Sequence, residues 1–494
     1  MSMLSLITSA AAAVVTAPNI IVIFSDDHAR QAISAYGSTL IQTPSIDRLA
    51  REGVTFDRHT IPNPLCGPSR ACLFTGKHSH LNGFKDNVST FDGSQVTFPK
   101  LLQQAGYESA AIGKWHLVSD PTGFDHWDVL PGQGVYHNPD FLTPKGRVKN
   151  KGYATEIITD KAVDWLKQGR KKPFFLFLGH KAPHRNWEPR IKDINRWAGV
   201  RFPEPSTLRT DYATLARGAQ KALMRIDRHM RQGVDLLVDW APPQLDGKDR
   251  EVWRAAWGSQ NAAYHQRLSA TGDLMGVNYQ RYIANYLRCI SVVDEGVGEV
   301  MAALKKSGQD KNTIVVYTSD QGFFLGEKGW YDKRWFYEPS AGTPLIVRFP
   351  DKMNQGRRVS VPTSGVDMAP TILEWAGLKA PVEMQGESLN PLVKGELSAR
   401  RPVYGHFYED NDPDHKVPKY TAIATVRWKL ICYYDLGECE LFDLRSDPTE
   451  SRNLWLGGGD QQVKAEMVRK LSSEMRRLKE DGAVIQKVEK LLLK

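Results

Sequence analysis

Uninterrupted apolar runs alternate along this chain with stretches in which apolar residues recur every three or four positions. NIIVIFS (19–25), ESAAIG (108–113), PFFLFLG (173–179) and TIVVYTS (313–319) are of the first kind. Such Ile, Val and Phe runs predict strands buried on both faces, hence a mainly parallel sheet covered by helices on each side. TPSIDRLAREG (43–53) is of the second kind, with Ile46, Leu49 and Ala50 on one face and Gly53 as the stop. FPKLLQQAGY (98–107), EIITDKAVDWLKQG (156–169) and the long segment 279–308 read the same way. Residues 190–275 break the rhythm with charged, Trp-containing helical stretches and are expected to be an insertion. TPLIVRFP (343–350) and DMAPTILEWAGL (367–378) resume it. Beyond residue 400 the texture changes. RPVYGHFY, TAIATVRW, KLICYYD and CELFDL are short, aromatic and turn-separated, which predicts a small antiparallel sheet, followed by a helical tail from Lys464 whose charges form a solvated face. The expected division is a large α/β domain over 18–399 and a C-terminal subdomain over 400–494.

At 494 residues the chain exceeds the size at which one core stops growing, which agrees with two units. Its 41% apolar and 24% charged residues are those of a globular protein, and no run after the first residues reaches membrane-spanning length. Stable membrane insertion is not expected. Lys and Arg number 65 against 56 Asp and Glu, a formal charge of +9, which favours an anionic partner. The basic residues are scattered and no zinc-finger spacing or RNA-binding motif is present, so a small or polymeric acidic substrate is favoured over nucleic acid. Residues 1–17 are apolar and rich in small residues, as in a signal peptide or its remnant, which predicts a periplasmic or secreted protein. The stretch carries no Lys or Arg, and an unstructured lead-in is the alternative. Of five cysteines, Cys432 and Cys439 flank a hairpin turn and either pair or remain two buried thiols.

Ligands of open α/β sheets bind beyond the carboxyl ends of the strands. Here those positions hold Asp26-Asp27, Lys114-Trp115-His116, His180 with His184, and Asp320-Gln321. One such aspartate would be read as a turn or a helix cap. Four polar ends on one rim point to a site. Asp26, Asp27 and Asp320 together need a compensating cation. With the Gln321 amide they suit a hard divalent ion, Ca²⁺ in preference to Mg²⁺, whereas zinc would want His or Cys. The alternative is pairing with nearby Lys and Arg. The segment LCGPSRACLFTG (65–76) opens a helix, so Cys66 to Arg70 sit at an anion-binding end. Ser69 lacks a G-x-S-x-G elbow, and Cys66 is open to a reading as a thiolate nucleophile beside Arg70.

CGPSRACLFTG resembles the type I sulfatase signature C-x-P-S-R-x-x-x-L-T-G, and GKWHL, APH, SDQG and DKRWFYE stand in that family's order over residues 18–455. The resemblance implies an alkaline-phosphatase-like α/β sandwich with a small C-terminal sheet. It implies that a maturation enzyme oxidises Cys66 to formylglycine, whose hydrate attacks sulfur, and that Cys72 is a core residue. It further implies metal ligation by Asp26, Asp27, Asp320, Gln321 and the modified Cys66. Arg70, Lys114 and Lys333 would hold sulfate, His116 would act as base and His184 as acid, with Trp115, Arg334 and His415 as substrate contacts. Among relatives the chain looks most similar to bacterial N-acetylglucosamine-6-sulfatases and mucin-desulfating enzymes, so the expected substrate is a 6-O-sulfated hexosamine of a glycan. A phosphonate or phosphodiester hydrolase, or a sulfatase of uronates or algal polysaccharides, is the alternative. Trp187, Trp197 and Trp253 of the insertion are expected in the core rather than as sugar platforms.

Overall fold

The computed structural model describes residues 17–350, 354–410, 412–457 and 459–493; the leader expectation falls almost wholly outside these. The main sheet contains β1 (Asn19–Ser25), β2 (Val54–Thr60), β3 (Glu108–Lys114), β4 (His126–Leu130), β5 (Asp140–Thr143), β6 (Gly146–Lys149), β7 (Phe174–Gly179), β8 (Thr313–Ser319), β9 (Gly342–Arg348), β10 (Arg357–Val359) and β11 (Thr363–Ser364). Their spatial order is β10-β2-β9-β8-β1-β7-β3-β4-β5-β6, with β11 beside β2. β1 is parallel to both β7 and β8, and β3 is parallel to β7 and β4. β9, the TPLIVRFP strand, runs antiparallel between β8 and β2, and β5–β6 form an antiparallel hairpin at one edge.

Side-chain alternation along β1 explains its apolar run. Ile21 and Ile23 face a layer holding the helices Pro44–Arg51, Ala154–Lys167 and Leu274–Ser307. Ile20, Val22 and Phe24 face the helices Cys66–Thr75, Phe98–Gln104 and Met368–Trp375. Every position is therefore needed in the core, and each such side chain contributes about 1.5–3 kcal/mol by leaving water. At the end of β3 and β7, Gly113 sits opposite Gly179 with φ +98°, and a Cβ there would lie 2.0 Å from the Gly179 carbonyl oxygen. Only glycine lets the two strands close up just before Lys114 and His180.

The insertion differs from expectation. Residues 190–246 are turns and short helical pieces such as Arg217–Gln220, and the single long helix is Gly247–Thr271. Pro203, Pro205, Pro242 and Pro243 keep the two ends of this stretch out of helix. Trp187 and Trp253 are fully buried, whereas Trp197 is partly exposed.

The C-terminal sheet is an antiparallel meander of β12 (Val403–Phe407), β13 (Tyr420–Ala424), β14 (Trp428–Tyr433) and β15 (Glu438–Asp443). One face packs on Trp330, Trp335, Phe336 and Tyr337, and the other on the helices Gln461–Arg477 and Gly482–Lys490. Cys432 and Cys439 stand opposite each other on β14 and β15 and are disulfide-bonded. No helix among the described residues is long and apolar enough to cross a membrane.

Candidate active site

Two strand ends deliver the acidic centre, and one helix start brings Cys66 to it. β1 runs straight into Asp26 and Asp27, and β8 into Asp320 and Gln321, all fully buried. One oxygen from each of the three aspartates lies within 4.8 Å of the others. Asp27 takes φ +64°, and the Asp27 amide donates to Asp320 Oδ1 at 3.0 Å while Tyr286 Oη donates to the Asp27 carbonyl at 2.6 Å. This bend turns both adjacent carboxylates inward, where an ordinary strand would send them to opposite faces. The Gln321 amide nitrogen reaches Asp27, and Cys66 Sγ at 3.4 Å. Its carbonyl oxygen Oε1 is buried without a hydrogen-bond partner among the described residues, as befits an oxygen kept for a cation. Three carboxylates and a free amide oxygen fit a hard divalent ion.

Cys66 opens the helix Cys66–Thr75, every residue of which is buried, and its Sγ lies 3.6 Å from Asp26 Oδ1. Burial pushes its thiol up to about 12, so the residue as encoded is not a thiolate at neutral pH. Cys72 lies inside the same helix, also buried. Asn87 Oδ1 accepts from the Gly67 amide at 2.9 Å, and Ser69 Oγ donates to the Asp320 carbonyl. Ser69 thereby ties helix to strand end instead of facing a substrate. Arg70 spans the centre: Nη2 to Asp320 Oδ2 at 3.0 Å and to Asp26 Oδ2 at 3.6 Å, and Nη1 to the Lys114 carbonyl at 2.7 Å.

Lys114 Nζ contacts Asp26 and also Gln133 Oε1 at 2.5 Å. Lys333 Nζ straddles Asp27 at 2.7 and 2.8 Å. Burial raises Asp27 to about 6, aided by Asp320 and against the pull of Lys333. Burial also drives Lys114 down, while on Lys333 the opposing charge of Asp27 overrides burial and raises it. His184 Nε2 is 3.9 Å from Asp27 Oδ2, and an atom of its ring lies with Asp26 and Cys66 in one group. Burial, then the charges of Lys114 and Lys333, lower His184; His116 is lowered by burial, then Lys114 and Arg70. An anion bound among these cations would raise both. His116 takes φ +57° and its Nδ1 is buried without a hydrogen-bond partner among the described residues. Such left-handed backbone at a bulky residue is characteristic of functional sites.

A second cluster lies around Asp332. Its carboxylate meets Arg334 Nη1 at 2.6 Å, His415 Nε2 at 3.3 Å and Arg185 Nη1 at 3.7 Å. Asp332 and Arg334 both have positive φ. Burial opposes protonation of His415, but Asp332 outweighs it and the imidazole is raised. Arg185 is clamped by Asp235 of the insertion at 2.7 Å. Thus Arg334 and His415 come together, joined by Asp332 and Arg185, which the sequence did not single out. Trp115 is a correction. Its ring packs on Phe74 and Phe124 in the core and donates to the Ser119 carbonyl at 2.7 Å, so it is not turned towards a substrate.

The sequence profile described as Sulfatase matches residues 18–378. The chain belongs to the sulfatase family. A second profile, the C-terminal part of N-sulphoglucosamine sulphohydrolase, matches residues 326–480 of this sulfatase. It is 43% identical over 486 residues, 94% of this chain and 86% of the relative, to an N-acetylglucosamine-6-O-sulfatase of Bacteroides thetaiotaomicron. The solved structure of a protein in complex with its substrate D-glucosamine-2-N,6-O-disulfate superposes with a TM-score of 0.91 at 41% identity, covering 95% of this chain and 99% of the other. The fold is the alkaline-phosphatase-like one expected. Phosphonate monoester hydrolase of Agrobacterium radiobacter, at TM-score 0.70, 20% identity and coverage of 93% and 96%, shares that fold.

Proposed function

We propose that this sulfatase removes the 6-O-sulfate of N-acetylglucosamine or a related hexosamine of a sulfated glycan. The observation that carries the reading is the meeting of Cys66, at a helix N-terminus, with Asp26, Asp27, Asp320 and Gln321 beside Arg70, Lys114 and Lys333. The hexosamine and the sulfate position are supported by the relative named for that activity and by the neighbour bound to a 6-O-sulfated glucosamine.

Asp26, Asp27, Asp320 and Gln321 would hold Ca²⁺, which polarises a sulfate oxygen and the nucleophile when bound. Residue 66, oxidised to formylglycine by a maturation enzyme, would supply the two hydroxyls that let sulfate be taken up and then released. Arg70, Lys114 and Lys333, which contact the Asp26, Asp27 and Asp320 carboxylates, would hold the sulfate oxygens. His184, raised by the bound anion, donates a proton to the leaving alcohol oxygen. His116, with its free Nδ1, takes one from residue 66. Arg334 and His415, held by Asp332, donate to the sugar hydroxyl oxygens, and the Asp235–Arg185 pair braces Asp332 from the other side. In this reading residues 18–399 are the catalytic part and 400–494 complete the sugar side. The Cys432–Cys439 disulfide supports an oxidising compartment, hence the periplasm or the cell exterior.

A panel of defined sulfated mono- and disaccharides, with sulfate release measured before and after chelation of calcium, tests the reading. N-acetylglucosamine-6-sulfate is expected to turn over fastest and chelation to stop it. Preference for a phenylphosphonate ester over every sulfate would replace the proposal with a phosphonate hydrolase.

A further inference from the structure

The insertion and the long helix Leu274–Ser307 enclose a cleft of about 390 Å³, walled by the helix Gly247–Thr271 and the loop around Trp197. Two guanidinium groups of the long helix, Arg281 and Arg288, line it. They are one helical face apart by seven residues, and are 7% and 1% exposed. Neither forms an ion pair among the described residues. Arg281 donates to the carbonyls of Leu236 and Leu237 and to Asn261 Oδ1, and its Nη1 has no hydrogen bond among the described residues. Arg288 donates to the Arg196 carbonyl, Asn285 Oδ1 and Gln260 Oε1. Both lie over the Trp257 ring, at 3.9 and 5.4 Å.

Buried cations are normally matched by a carboxylate, and neutral acceptors leave the charge uncompensated. Burial, and then each other's charge in the case of Arg281, depress Arg281 to about 9 and Arg288 to about 10. Both guanidiniums stay protonated at neutral pH, so the cost is relieved by an anion and not by proton loss. The mouth adds the exposed Arg201 and Arg267. Its acids, Glu204 and Asp273, are already taken by Arg201 and Arg209, with Arg209 2.6 Å from Asp273. Residues 190–275 as a whole carry 14 Lys and Arg against 10 Asp and Glu.

We propose that this cleft is an accessory binding site for a sulfated saccharide segment, with Arg281 and Arg288 facing its sulfate groups and Trp197 and Tyr264 bordering its sugar rings. It rests on the sulfated-glycan reading above but lies outside the residues that reading uses. Tyr282 and Tyr286, on another face of the same helix, bond the Phe324 and Asp27 carbonyls, so one helix serves the catalytic centre and the cleft.

The probe is a heparin octasaccharide chemically stripped of its 6-O-sulfates, titrated by calorimetry against the full chain and against R201A/R267A, whose side chains are exposed at the mouth, where Arg201 holds one surface ion pair, to Glu204 at 3.3 Å. The variant is expected to bind about tenfold more weakly, with a shallower salt dependence, and to keep kcat/KM on N-acetylglucosamine-6-sulfate. Arg281→Gln, checked for an unchanged melting transition, is expected to lose binding as well. Equal affinity of wild type and R201A/R267A for the octasaccharide overturns the proposal, as does equal binding of a single-stranded DNA of matching charge. Loss of monosaccharide turnover by wild type would instead count against the catalytic reading.

Discussion

Arg70 touches two carboxylates and the carbonyl of a third strand end, so its charge is shared among groups that a bound sulfate would displace. Arg70→Ala is expected to lower kcat/KM by about 10²–10³, some 3–4 kcal/mol of transition-state stabilisation, with Arg70→Lys recovering only part because the fork geometry is lost. Steady-state sulfate release checks both. Cys66→Ser should release at most one equivalent of desulfated sugar per enzyme molecule and no free sulfate, since the sulfuryl group stays on the serine oxygen and a single hydroxyl has no second proton through which to discharge it; an alcohol burst without sulfate release, with a mass gain on residue 66, distinguishes this from slow turnover. At this scale the sequence was legible wherever chemistry sits directly on a strand end, as at Asp26, Asp27, Asp320 and Gln321. It misled at Trp115, whose indole packs in the core although its neighbour Lys114 contacts Asp26. The bend at His116, φ +57°, leaves the indole on the opposite, core side. Asp332 stood unnoticed beside Lys333 because its partners His415 and Arg185 are distant in the chain.

Among the elements, strands announced themselves through apolar runs, and the helix start at Cys66 was read from the segment itself, although all of Cys66–Thr75 is buried and no solvated face marks its period. The turns of 190–246 were misread because Trp and charged residues imitate a surface helix, and only the ends of the stretch carry prolines to signal otherwise. The C-terminal helices are fastened through Glu480, which receives Tyr404 Oη at 2.9 Å and faces His406 Nδ1 at 2.9 Å and His80 Nδ1 at 3.1 Å. Against burial, His406 and His80 hold Glu480 down from 4.5 to about 2. A depressed carboxylate contributes its stability above its unfolded pKa and loses it as pH falls through the folded one. The urea midpoint of the wild type should therefore fall between pH 4.5 and 2 more steeply than that of Glu480→Gln. The Cys432–Cys439 bridge closes a short loop, with a sequence separation of 7. C432A/C439A is expected to cost about 2 kcal/mol of unfolding free energy, seen as a lower melting temperature with turnover of the small substrate kept.

For the molecule as a whole, a cation that binds only the folded carboxylate centre stabilises it by mass action. Calcium at about one hundred times its dissociation constant should add about 2.7 kcal/mol to unfolding. Calorimetry with Asp320→Asn as the control reads this independently of turnover, since that variant should lose most of the gain. The separate four-stranded antiparallel sheet followed from the change of texture near residue 400. What composition could not reveal was how deeply the large unit wraps its own signature. All ten residues from Cys66 to Thr75 are shut away from solvent. On the reading proposed above, an oxidising enzyme that must grip this segment could not reach it once the chain has folded around it. Conversion of Cys66 would then be an appointment kept before folding, and a molecule that missed it would fold into a durable but idle copy that no later treatment with the same enzyme could rescue.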